Sequence, residues 1–218
     1  MNRLQSELHR LYLLSSPDPG GRLIDGSGQV RAMVMELRGP ADWDVLSKVW
    51  RGVQVDLQWP APAIAVSGTD GLQLWFSLQA PVSSSRAAAF LGLLTSRYLA
   101  GVAPPARLRL SPSATGSSFD AALVPAQQAE TCNWSAFVAP DLAPVFADTP
   151  WLDIQPGIEG QADLLARLES VKPAAFEAAL QALRPEPLDS QPPVAKASGA
   201  DLDPRCFLQQ VLNDATVA

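Results

Sequence analysis

The sequence predicts an α+β domain, and three observations carry the prediction. Between residues 30 and 111 apolar residues recur with a period of two in some stretches and of three to four in others, which separates strands from helices. Residues 63–78, AIAVSGTDGLQLWFSL, read as two strands joined by a tight turn, with Gly68 and Gly71 able to take positive φ. The segments on either side complete the order strand, helix, hairpin, helix, strand.

Residues 2–14 place Leu4, Leu8 and Leu11 at helical spacing, ahead of a Pro/Gly-rich loop that runs to Gly28. Residues 30–37, VRAMVMEL, are almost continuously apolar, as expected of a strand buried on both faces. Asp42 is a candidate N-cap for a helix with Leu46, Trp50, Val53 and Leu57 on one stripe, stopped by Trp59-Pro60. Within the hairpin Leu72, Leu74, Phe76 and Leu78 alternate with Gln73, Trp75 and Ser77. Ser83, Ser84 and Ser85 offer caps for a helix over residues 86–99, with Phe90, Leu93, Leu94 and Tyr98 inward. In residues 106–111, ARLRLS, Arg107 and Arg109 alternate with Leu108 and Leu110. The resulting β-α-β-β-α-β order is that of ferredoxin-like folds, with both helices on one face of an antiparallel sheet. The opposite face is expected to stay open and to collect Gln73, Trp75, Ser77, Arg107 and Arg109, joined by Glu36 and Arg38.

The rest of the chain reads as an irregular and helical extension. Residues 112–150 carry repeated prolines, with a candidate strand at 121–124 and a packing segment around Trp134 to Phe137, Val145, Phe146 and Trp151. Residues 161–183 form a helical pattern broken at Pro173. The domain organisation expected is residues 1–29 as an N-terminal helix and loop, 30–183 as the α+β domain, 184–200 as a Pro-rich linker and 201–218 as a C-terminal helix. That last helix gathers Phe207, Leu208, Val211 and Leu212 and suits docking to a protein partner.

Composition limits the chemistry. No apolar run approaches the roughly 20 residues that span a bilayer, and the two cysteines lack CxxC spacing, so a cytoplasmic protein without membrane association is expected. His9 is the single histidine, which excludes triads and metal sites built on several histidines. The sequence shows no phosphate loop, no activated nucleophile and no metal cluster, and no cofactor is implied. The net charge of −6 conceals a split: residues 30–110 carry +3 and the remainder −9. A locally anion-attracting surface inside an acidic protein is one meaning of such a split.

The strand VMELRG, followed by a helix and then SGTDGLQLWF, resembles the catalytic core of the archaeo-eukaryotic primase superfamily, which includes primase-polymerases. The resemblance spans residues 30–111. It implies an RRM-like core in which the first strand ends in an acidic D-x-D pair and a hairpin carries S-G-x-G-x-H. Ser67, Gly68, Gly71, Leu72 and Trp75 fit the hairpin motif. Glu36 and Arg38 stand where the family has its acid pair, and Gln73 where it has its histidine. Two-metal phosphoryl transfer needs several carboxylates around cations about 3.5–4 Å apart, which one glutamate beside an arginine does not supply.

The resemblance therefore implies a non-catalytic relative that binds a nucleotide or single-stranded nucleic acid. Its site residues would be Glu36, Arg38, Ser67, Gly68, Gln73, Trp75, Arg107 and Arg109, with Trp75 as stacking platform and the arginines on phosphates. Two alternatives compete. One folds residues 112–183 over the face, burying Trp75 and pairing the arginines with acids such as Asp148 or Asp153; the other is a protein-interaction or scaffold role carried by the tethered C-terminal helix.

Overall fold

A computed structural model describes residues 2–14, 22–113 and 121–184, which belong to one compact unit. The predicted linker and C-terminal helix, residues 185–218, lie outside the described residues. The structure is α+β. Helix α1 (Arg3–Leu11) is followed by β1 (Gln29–Arg38), α2 (Trp43–Val55), β2 (Ala63–Val66), β3 (Gly71–Ser83), α3 (Ser84–Tyr98), β4 (Leu108–Ser111), β5 (Ala136–Val138), α4 (Ile158–Ala166) and α5 (Pro173–Leu183). The five strands form one antiparallel sheet in the order β4-β1-β3-β2-β5. No helix among the described residues is long and apolar enough to cross a membrane.

Local chemistry sets most of these elements. The Asp42 carboxylate accepts from the backbone N–H groups of Asp44 and Val45, and Ser83 Oγ accepts from Arg86 N, so both predicted N-caps start their helices. Pro173 does not kink a helix. It sits at the first position of α5, where its missing N–H leaves nothing unpaired, and α4 has already ended at Ala166. The expected strand at 121–124 does not form. The fifth strand is β5 instead, from the segment read as packing, and it pairs with β2 through Ile64, Ala65 and Val66.

One sheet face carries Met33, Met35, Leu37, Leu72, Leu74 and Phe76 against α2, α3 and α5. Trp59 stacks on Phe90 at 4.7 Å and lies 6.2 Å from Phe176, so one indole joins the loop after α2 to both other helices. Helices α2 and α3 approach closely at Gly52, where a Cβ would collide with the Tyr98 ring.

The other face is not open. Helices α1 and α4 and the chain around Phe137 cover it, enclosing Ala32, Val34, Ala63, Ala65 and Trp75 with Leu8, Leu11, Tyr12, Ala162 and Leu165. Small residues on β1 and β2 make room for an aromatic cluster: Trp75 packs edge-on to Tyr12 at 5.3 Å and to Phe137 at 5.9 Å. Burial holds the Tyr12 phenol protonated, its pKa pushed well above the usual value.

Polar side chains tie this cover to the sheet. Arg31 on β1 donates to the carbonyls of His9, Arg10 and Leu13, satisfying the end of α1. Arg10 in turn donates to Leu165 O and Leu168 O at the end of α4. Gln161 of α4 closes the edge strand: Phe137 N donates to its Oε1 at 2.7 Å and its Nε2 donates to Phe137 O at 2.9 Å.

The close approach at Gly52 supplies a first test. Alanine is the better helix former by about 1 kcal/mol. Even so, we expect Gly52→Ala to destabilise the fold by about 1–3 kcal/mol, because its methyl displaces the Tyr98 ring. Urea denaturation measures it; an unchanged or raised midpoint would contradict the packing described.

Candidate functional site

The eight residues singled out from the sequence all lie on or beside the covered face, at the end formed by β4, β1 and β3. Register explains it. Glu36 is directly opposite Arg109 on β4 and Gln73 on β3, and direct partners in an antiparallel pair point to the same side. Alternation then adds Arg38 and Trp75, while Leu37, Leu72, Leu74 and Leu108 point to the helices α2 and α3. Arg107, expected on a strand from residue 106, lies instead in the 3-10 turn Pro105–Arg107 just before β4.

Four of these residues form one chain of contacts. Trp75 Nε1 donates to Gln73 Oε1 at 2.8 Å, Gln73 Nε2 donates to Glu36 Oε2 at 2.6 Å, and Glu36 Oε1 lies 3.6 Å from Arg109 Nη1. Glu36 is only 2% exposed, and its Oε1 has no hydrogen-bond partner. Burial pushes its carboxyl above the usual range, although the Gln73 hydrogen bond and the charges of Arg109 and Arg38 pull the other way. Gly71 is the space that Glu36 needs, since a Cβ there would meet Glu36 Cγ at 2.8 Å and Leu37 O at 3.0 Å.

Arg38 and Arg107 stand at the rim. Arg38 Nε and Nη2 both meet Asp70 Oδ2, at 2.8 and 2.6 Å. Burial alone would raise the Asp70 pKa, but the Arg38 hydrogen bond and charge, with help from Arg109, outweigh it and hold the carboxylate below its ordinary value. Arg107 Nε donates to the Arg38 carbonyl at 3.0 Å and its Nη2 to the Pro40 carbonyl. The acids suggested for these arginines, Asp148 and Asp153, are not their partners. Arg38 pairs with Asp70 instead, and Arg107 with two backbone carbonyls.

Two expectations are corrected here. Trp75 is not a stacking platform: it is 1% exposed, its ring packs against Tyr12 and Phe137, and its N–H donates to Gln73 inside the protein. Ser67 and Gly68 do not form an open cradle. Ser67 Oγ accepts from Thr69 N and Gly71 N, Gly68 N donates to Pro150 O, and a Cβ on Gly68 would meet Ser135 N at 2.8 Å. The turn is packed under residues 126–135 and 150. Sequence reasoning also missed Gln161, Arg31 and Arg10, whose roles arise only once α1 and α4 reach the sheet.

Chemically the site offers cations around a buried carboxyl. Among the described residues no group of three or more His, Cys, Asp or Glu side chains is placed to hold a metal ion. Among the described residues, with Asp70 ionised, three arginines leave the rim positive whether or not Glu36 keeps its proton.

Glu36 has a pH signature. A carboxyl whose folded pKa lies above its unfolded value contributes stability that is complete below the unfolded value and is lost as pH rises through the folded one. Removing the titration with Glu36→Gln should therefore favour the variant over the natural protein more at about pH 7 than at about pH 4, by denaturant titration at both. Asp70 titrates in both proteins and cancels in the difference; an equal difference at the two pH values would exclude the raised pKa. Gln73→Ala leaves a buried indole N–H and a buried carboxyl short of partners, and should cost about 1–3 kcal/mol.

No family model and no curated protein sequence matches this chain.

Proposed function

We propose that this protein is a non-catalytic, primase-like module that binds the phosphates of a nucleotide or of single-stranded nucleic acid on Arg38, Arg107 and Arg109. The observation that carries the reading is the convergence of three arginines at one end of the sheet, Arg38 from β1, Arg109 from β4 and Arg107 from the 3-10 turn that leads into β4. The Arg38 and Arg109 side chains are 38% and 40% exposed there, in a chain of net charge −6. A ferredoxin-like or RRM-like core is supported by the order of β1 to β4 with α2 and α3, and by the neighbour order β4-β1-β3-β2.

The burial of Trp75 changes what such a module reads. Without an exposed aromatic, bases gain no stacking worth about 1–3 kcal/mol each, and recognition falls to the backbone. Binding of this kind is indifferent to sequence and weakens steeply with salt. Arg38 is already oriented by Asp70, and Arg107 by two carbonyls, so their guanidinium planes are set before a phosphate arrives. Glu36 and Gln73 support the site from beneath rather than touching ligand. Catalysis is left out because the single buried carboxyl lies beside Arg109, a cation that opposes metal binding.

Fluorescence anisotropy with short labelled single strands tests the proposal. We expect low-salt binding at micromolar protein that varies little with base composition, and a log–log salt slope that falls by about 0.7 when Arg107→Gln removes one phosphate contact. No binding at low salt, or binding that Arg107→Gln and Arg109→Gln leave unchanged in folded protein, would reject it.

A further inference from the structure

At the opposite edge of the sheet from the arginines a cavity of about 310 Å³ opens between β2, the chain leaving β5 and the end of α4. Its volume is at the lower bound of small-molecule sites, roughly 300–1,000 Å³. Trp50, Pro62, Phe137 and Leu164 supply apolar walls. The Trp50 indole is fixed by its bond to Pro62 O at 3.1 Å, and the backbone of Phe137 is fixed by Gln161. The walls are thus held in place without a ligand.

Two charged residues also line the cavity: Asp141, just after β5, and Arg167, the C-cap residue of α4. Both are exposed, and neither side chain makes a hydrogen bond or ion pair among the described residues. The task usually given to an arginine at a helix C-terminus is already performed by Arg10, which donates to the carbonyls of Leu165 and Leu168. An apolar floor therefore lies beside one unengaged cation and one unengaged anion.

We propose that this cavity binds a zwitterionic α-amino acid with a large apolar side chain. The side chain occupies the apolar floor, the carboxylate meets Arg167 and the ammonium meets Asp141. Charge selects this class: a simple anion gains Arg167 but is repelled by Asp141, a simple cation suffers the reverse, and only a ligand carrying both signs complements both. The site is independent of the arginine rim, which uses β1 and β4.

The test is a titration of the full chain followed by NMR, reading the Trp50 indole N–H and the Val138 and Leu164 amides. L-Phenylalanine at millimolar concentration should shift these signals saturably, and glycine, which lacks the apolar group, should not. N-Acetylphenylalanine and phenethylamine, each missing one charge, should bind about two- to fivefold more weakly, the range of exposed ion pairs. Asp141→Asn should abolish the preference over N-acetylphenylalanine, and Arg167→Gln the preference over phenethylamine. Both substitutions are at exposed positions, and a thermal melt verifies that the fold is kept. Absence of a saturable shift, shifts confined to residues outside the cavity, or preferences that survive the two substitutions would overturn the proposal.

Discussion

Both faces of the sheet are buried, and this constraint organises the rest of the structure. A sheet face that meets only apolar neighbours can be filled with leucine and methionine, as the face under α2 and α3 is. The second face carries Glu36, Gln73, Trp75 and Ser77, all buried, so covering it calls for polar partners, and of these side chains only Glu36 keeps an oxygen, Oε1, without a hydrogen bond. Trp75 is satisfied by Gln73, Gln73 by Glu36, and Ser77 by the Leu11 carbonyl at the end of α1. The covering helices are themselves held by polar bonds from the sheet and from each other, through Arg31, Arg10 and Gln161.

The covered face changes character along its length. Around Trp75, Tyr12 and Phe137 it is an aromatic core against α1 and α4. Toward the ends of β1 and β4 it becomes charged, with Arg38, Arg107 and Arg109 grouped around Glu36 and Asp70. The transition falls at Gln73, whose amide faces an indole on one side and a carboxylate on the other. The arginine rim is therefore tied to a buried core through Gln73 and Glu36, an arrangement that suits the preset phosphate surface proposed above.

The sequence-based account of the face shows how far local patterns reach. Alternation placed Gln73, Trp75, Arg107, Arg109, Glu36 and Arg38 on one side, and the register agrees for all but Arg107, which falls in the 3-10 turn before β4. The openness of that side did not follow from the same pattern. Yet VRAMVMEL, apolar on both parities, already required two covered faces for β1; treating the second face as free gave that run too little weight. Residues 121–124 met the apolar criterion for a strand without forming one, while Ala136–Val138 became β5 because β2 offered it an edge to pair with.

Sequence alone determined the α+β class, the helix starts at Asp42 and Ser83, the hairpin turn and the side-chain parity of β1 beyond Arg31, of β3 up to Leu78 and of β4, because each depends on residues a few positions apart. Tertiary structure decided what each face touches. The covering helix α1 and its counterpart α4 are separated by well over a hundred residues, and Arg38 meets Asp70 and Glu36 meets Arg109 only through space. Periodicity records that a side chain is withdrawn from water, but not which distant element withdraws it. Exposure, ion pairing and pKa depend on those distances, so they arise only when the chain has closed upon itself.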